Sequence, residues 1–139
     1  MTDCIFCNIV SGDIPSIKIY EDDHVLAFLD ITQVTQGHTL VIPKEHYSDW
    51  SQMPENASSQ LAAPLPKISR QLQEQLGAKG MNIISNIQPI AGQSVFHTHI
   101  HLLPRYDEED GLHIDYTVNQ PEIGDLMELA EKIKGGQVE

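Results

Sequence analysis

Apolar residues along the chain fall into short blocks with two different periods. Ile17–Tyr20 and Val25–Leu29 are short apolar-rich runs flanking the acidic turn Glu21-Asp22-Asp23, the pattern of two strands joined by a tight connection. His38–Ile42 is a third run, stopped by Pro43. Between 55 and 76 the period lengthens: Leu61, Leu65, Ile68, Leu72 and Leu76 recur at three- and four-residue intervals, which predicts helix. Pro64 and Pro66 fall inside that stretch. Proline lacks the amide donor and crowds the preceding turn, so the helix should kink or split there, and Gly77 and Gly80 should close it. Met81–Ile87 and Ser94–Leu103 supply two further strands, the second ended by Pro104. Pro121–Lys134 reads as a terminal helix, with Asn119 near its start and Lys132 and Lys134 in its last turn, where cations suit the helix dipole. Ser11-Gly-Asp-Ile-Pro15 reads as a turn. There is no internal repeat and no low-complexity linker. Five strands that do not alternate one for one with helices predict a single α+β domain over residues 1–139, built on an antiparallel sheet.

Composition narrows the class. Hydrophobic residues make up 40% of 139, enough for a packed core. No apolar run approaches the roughly 20 residues that span a bilayer. No basic segment followed by an apolar core stands at the N-terminus, so the expected location is cytoplasmic. The formal net charge is −12 with eight Lys plus Arg and no basic patch, which argues against a nucleic-acid partner. A small phosphorylated partner stays open, because neutral donors and backbone amides bind phosphate without net positive charge. The acidic stretch Asp107-Glu-Glu-Asp110 reads as a solubilising surface.

The chemistry concentrates in Ser94-Val-Phe-His-Thr-His-Ile-His-Leu-Leu-Pro-Arg105. His97, His99 and His101 alternate, so on a strand all three imidazoles leave one face. Seven histidines in 139 residues give a chance expectation of roughly 0.02 such triplets. One ion cannot hold all three, because His97 and His101 would stand roughly 13 Å apart along the strand, whereas zinc binds imidazole nitrogen at about 2.0–2.1 Å. Two of them could share a metal. The other reading is a row of neutral imidazoles that attacks phosphorus, binds anionic oxygens and moves protons near neutral pH.

The run resembles the signature of the histidine triad (HIT) family, with Thr98 where an apolar residue is usual. The resemblance continues through Asp3-Cys-Ile-Phe-Cys-Asn-Ile-Val10, Leu26-Ala-Phe-Leu-Asp-Ile31, Gly37-His-Thr-Leu-Val-Ile-Pro-Lys44 and Asn86 to Ser94, and so covers residues 1 to about 107, in the manner of the family's Hint-like branch. The tail from about 108 to 139 is not distinctive. The resemblance implies a five-stranded antiparallel sheet that pairs into a ten-stranded sheet in a homodimer. It implies hydrolysis of nucleoside 5′-phosphoramidates or related nucleotide conjugates at the α-phosphorus, through a nucleotidyl intermediate on His99. Hydrolysis of dinucleoside polyphosphates, nucleotidyl transfer to a sugar phosphate, and a non-catalytic nucleotide-binding module are the alternatives. The short chain leaves little room for the second substrate pocket a transferase needs.

Individual residues take the following expected roles. An attacking imidazole must be neutral, with its other nitrogen donating, most simply to a backbone carbonyl. That expectation falls on His99, with activity failing as it protonates, around or below its ordinary value of about 6.5. His101 and His38 are candidates to hold phosphate oxygens. By the resemblance, Ser94 helps protonate the leaving group, and Gln93 and Asn86 contact phosphate. Strand parity puts Ser94 off the triad face unless the backbone is irregular, which Gly92 would allow. A carboxylate only accepts hydrogen bonds, which suits a ribose diol, the role the resemblance gives Asp30. Ile5, Phe6, Ile9, Leu29 and Ile31 would form an apolar slot for the base, although periodicity alone makes them core, Ile9 above all. Cys4-Ile-Phe-Cys7 holds both cysteines of the chain, and a C-x-x-C pair with no β-α-β pattern around it reads as metal-binding before redox. A closed zinc site needs two more ligands. The resemblance supplies His46 and His97, for a structural zinc that the chemistry does not require. His97 then has a metal role and a substrate role in competition. The expected partner is a small-molecule nucleotide, with no nucleic acid and no membrane. Base preference, leaving group and roles for His24 and His113 are not legible in the sequence.

Overall fold

Val25–Leu29 and Thr39–Pro43 read as nearly unbroken apolar runs because the sheet they belong to is covered on both faces. In the computed structural model, which describes residues 1–135, the sheet contains β1 (Lys18–Glu21), β2 (Val25–Leu29), β3 (Thr39–Pro43), β4 (Gly80–Ile84) and β5 (Ile100–Arg105). The order is β1-β2-β3-β5-β4 and every pairing is antiparallel. The expected α+β class with a five-stranded antiparallel sheet is what forms. Among the described residues four α-helices accompany it: α1 (Ile5–Ser11), α2 (Glu55–Ala62), α3 (Leu65–Leu76) and α4 (Ile123–Gly135).

Strand alternation divides the core in two. Val25, Ala27, Val41, Ile100 and Leu102 face Leu61 of α2 and Leu65, Ile68 and Leu72 of α3. Leu26, Phe28, Leu40 and Ile42 face the opposite way and are covered by Phe6 and Ile9 of α1. In β5, Ile100 and Leu102 belong to the first face, so His101 between them belongs to the second. The histidine chemistry therefore lies on the α1 side of the sheet.

The predicted helix over 55–76 is two helices. Pro64 sits at the N-cap of α3, with Pro66 in its first turn where a missing amide costs nothing, and Gly77 closes it with φ +70°. The terminal helix runs Ile123–Gly135 rather than from Pro121. Helix α1 is marked by no period in the sequence: its seven residues are rich in poor helix formers and too few to show one, and it is held by Cys4 Sγ accepting from the Cys7 amide at 3.4 Å. Two sequence expectations for β5 are corrected. The strand expected over Ser94–Leu103 begins only at Ile100. Extending the β3–β5 register would bring Thr98 opposite Pro43, which has no amide to give, and Thr98 instead donates its amide to Tyr47 O at 2.7 Å. Pro104 does not end β5, which continues to Arg105. β3 pairs no further than Leu102, so the missing Pro104 amide breaks no ladder bond on that side.

No helix among the described residues is long and apolar enough to cross a membrane.

Candidate functional site

Residues 88–99 approach the sheet as an irregular loop, and its hydrogen bonds explain how the triad is presented. Gly92 takes φ +105°, a conformation that disfavours side chains, and a Cβ there would press on Asn86 Nδ2 at 3.3 Å. Buried Gln93 spends its amide inside the loop. Its Nε2 donates to Ser48 O (2.6 Å) and Val95 O (3.1 Å), and its Oε1 accepts from the Gln88 amide (2.8 Å). Ser94 is exposed on a groove lined by Cys4, Ile5 and Val95. Half-buried Asn86 packs under Gly92.

His97, His99 and His101 do not act as one unit. The His97 ring is fully buried, and its Nε2–H donates to Pro43 O at 2.9 Å, which leaves Nδ1 unprotonated. That nitrogen points to the N-terminal cysteines: it lies 3.4 Å from Cys4 Sγ, 3.6 Å from Cys7 Sγ and 3.2 Å from His46 Nδ1, and Cys7 Sγ is 3.4 Å from His46 Nδ1. A tetrahedral ion bound at about 2.0–2.3 Å would space such donors about 3.3–3.8 Å apart. Two thiols and two imidazoles with ligand atoms all within 4.8 Å of one another fit a metal ion in composition and in spacing.

His99 makes a different set of contacts. Its Nδ1–H donates to the backbone carbonyl of His97 at 2.7 Å, so Nε2 carries the free lone pair. Ser85 Oγ donates to the carbonyl of His99 at 2.9 Å. The ring meets the edge of Phe6 (centroids 5.1 Å) and stands 5.0 Å from the His101 ring. His101 Nδ1 and His38 Nε2 are 2.9 Å apart, and the other His38 nitrogen lies 3.1 Å from Thr32 O. With His38 Nδ1–H donating to Thr32, His101 Nδ1–H donates to His38, and His99 and His101 are both neutral. Burial favours that state. It pushes His99 below the ordinary imidazole value and, with His99 and His38 beside it, pushes His101 down to about 4. Burial likewise holds His97 down, at about 4.

Beside this row opens an apolar cleft of about 490 Å³, lined by Ile5, Phe6, Ile9, Leu29 and Ile31, with Asp30 on its wall. Ile31 is almost fully exposed at the mouth, while Ile9 is both core and cleft floor. Asp30 Oδ1 accepts from the Thr32 amide and hydroxyl, both at 2.8 Å, and Oδ2 lies 3.7 Å from His38 Nε2.

The fold thus brings His38, His99, His101 and Asp30 to one place, the slot residues beside them, and Cys4, Cys7, His46 and His97 to an adjoining one. It does not bring the side chain of His97 into the row with His99 and His101. Exposed His24 and His113 stand apart from both groups. Three contributors are not evident in the sequence reading. Thr32 braces Asp30, and an Asp-x-Thr turn is a legible signal. Pro43 supplies a carbonyl to His97. Ser16 lines the cleft with a buried hydroxyl that has no partner among the described residues, and nothing in the sequence marks it.

A family model described as the HIT domain matches residues 11–108. The chain belongs to the HIT family. It is 52% identical over 108 residues, 78% of this HIT chain and 74% of the other, to Protein hit of Bacillus subtilis. It is 38% identical over 135 residues, 94% of this chain and 98% of the other, to adenosine 5′-monophosphoramidase hnt1 of Schizosaccharomyces pombe. Among solved structures, a HIT-family protein from Bacillus subtilis superposes with a TM-score of 0.95 at 42% identity, covering 99% of both chains. A Zn-bound histidine triad family protein from Mycobacterium smegmatis gives 0.74 at 41% identity, covering 97% of this chain and 98% of that one.

Proposed function

We propose that this HIT protein is a nucleotide hydrolase that acts at the α-phosphorus of nucleoside 5′-phosphoramidates or related conjugates. The observation that carries this is the 2.7 Å bond from His99 Nδ1–H to the His97 carbonyl, which leaves Nε2 as a neutral nucleophile beside an apolar cleft. The name of the fission-yeast relative, a monophosphoramidase, supports the substrate class.

In the proposed reaction the base lies in the slot of Ile5, Phe6, Ile9, Leu29 and Ile31, and the ribose hydroxyls donate to Asp30. His101 lies beside the nucleophile, and His38 holds the His101 ring in place. The His99 Nε2 lone pair forms a bond to phosphorus and the bond to the leaving nitrogen breaks. The leaving amine takes a proton from solvent through the Ser94 hydroxyl. Water then attacks phosphorus, the N–P bond breaks, the water's surplus proton passes to solvent, and the nucleoside monophosphate and neutral His99 are released. Asn86 and Gln93 act here by shaping the loop that carries Ser94. We assign zinc to Cys4, Cys7, His46 and His97 on the soft two-sulfur, two-nitrogen donor set and the Zn-bound relative. When bound it supplies a crosslink, while the bond-making steps use side chains alone. We also assign a homodimer. β4 is an open sheet edge that exposes Ile83, and Ile123, Leu126, Met127 and Ile133 of α4 are exposed on their own chain.

Release of AMP from adenosine 5′-phosphoramidate tests the reading. Wild type should turn the substrate over, and His99→Ala should lower kcat by more than about 10³-fold with nucleotide binding retained. Turnover by His99→Ala within about tenfold of wild type would refute it.

A further inference from the structure

The two histidine sites share a residue. His97 offers its ring to the cysteine cluster and its carbonyl to His99, so three of its polar atoms are committed. Nδ1 lies among Cys4, Cys7 and His46, Nε2–H donates to Pro43 O, and the carbonyl accepts from His99 Nδ1. The next amide, Thr98 N, donates to Tyr47 O at 2.7 Å, which fixes the far side of the same peptide. Helix α1 brings Cys4 and Cys7 to this point together with Phe6, whose ring packs edge-on to both His97 (5.8 Å) and His99 (5.1 Å).

The tautomer of His99 is what this arrangement selects. An imidazole in water favours the proton on Nε2, and a ring in that state has no lone pair on Nε2 with which to attack. The reverse tautomer needs an acceptor held at Nδ1, and the His97 carbonyl is the acceptor recorded there among the described residues. We infer that the four-residue cluster, when loaded with its metal, sets the tautomer of His99 through the backbone carbonyl of His97. His97 is then a positioning residue, and loading controls the chemical step as well as stability. The ion would tie the His97 ring to helix α1 and His46, and without it that restraint on the peptide on which His99 depends is lost. The kinetic part of this inference rests on the proposed hydrolase reading, and the tautomer part does not.

The test is ¹⁵N NMR of the histidine side chains in the full chain at pH 8, zinc-loaded and after stripping with a chelator, with far-UV circular dichroism as the check on folding. The loaded protein should show His99 protonated on Nδ1. Stripping should move His99 substantially to the Nε2-protonated form, zinc should restore it, and kcat for adenosine 5′-phosphoramidate should fall about tenfold or more with a smaller change in KM. Should the stripped protein unfold, His46→Ala, which removes an exposed ligand and leaves three, should show a partial shift of the same kind. His99 unchanged in a stripped or His46→Ala protein that stays folded would overturn the inference. So would unfolding of both, because the cluster would then be a folding requirement with no separable action on His99. A shift in tautomer with no turnover by the loaded protein would sustain this inference and defeat the hydrolase reading instead.

Discussion

At His99 one hydrogen bond and one degree of burial decide the chemistry. The bond to the His97 carbonyl assigns the proton to Nδ1, and burial makes the charged ring costly, so the attacking nitrogen stays free. The sign of the pH dependence follows. Attack needs the neutral ring, and a pKa held below the ordinary value of about 6.5 keeps the ring neutral to lower pH. kcat/KM for the phosphoramidate, corrected for its uncatalysed hydrolysis, should therefore persist at pH 6.5 and fall only as the pH drops below the ordinary imidazole range. A profile with half its value gone at pH 6.5 or above would contradict this. The alternation of His97, His99 and His101 is legible in the sequence, and so is the need for a carbonyl partner. The partition is not: His97 leaves the row because Pro43 O and the N-terminal cysteines claim its ring, contacts that span up to 93 residues of chain. Ser16 is unreadable for the same reason, since its burial depends on the elements around the cleft and not on its neighbours in sequence.

Among the elements, those set by local pattern match the sequence and those set by contact do not. β2 occupies Val25–Leu29 as its apolar run predicts, and the break between α2 and α3 falls at Pro64, where the absent amide requires it. Helix α1 is invisible to periodicity because seven residues give fewer than two turns, and its stability comes from Phe6 and Ile9 packing on β2 and β3. The start of β5 shifts to Ile100 because the neighbouring strand ends in a proline and the loop before it is tied to Ser48 and Tyr47 instead. That shift matters for function. Residues 97–99 lie outside the ladder, which frees the His97 carbonyl to receive the His99 ring.

For the whole molecule, one sheet separates two tasks. α2 and α3 close the core on one face, while α1 and the histidines occupy the other. In a chain of net charge −12, burial keeps His99 and His101 neutral, so the nucleophile keeps its lone pair for an electrophilic phosphorus. The open β4 edge and the exposed apolar residues of α4 belong to the proposed dimer, so sedimentation equilibrium should return twice the mass of one chain, whereas the mass of a single chain would contradict that assignment. The central claim, a covalent bond from His99 to phosphorus, is tested most directly by intact-protein mass spectrometry of wild type and His99→Ala, quenched without acid shortly after mixing with adenosine 5′-phosphoramidate. The prediction is a transient gain of one adenylyl group on wild type and none on the variant. Turnover by wild type with no adduct at any quench time, or an adduct that survives in His99→Ala, would contradict it.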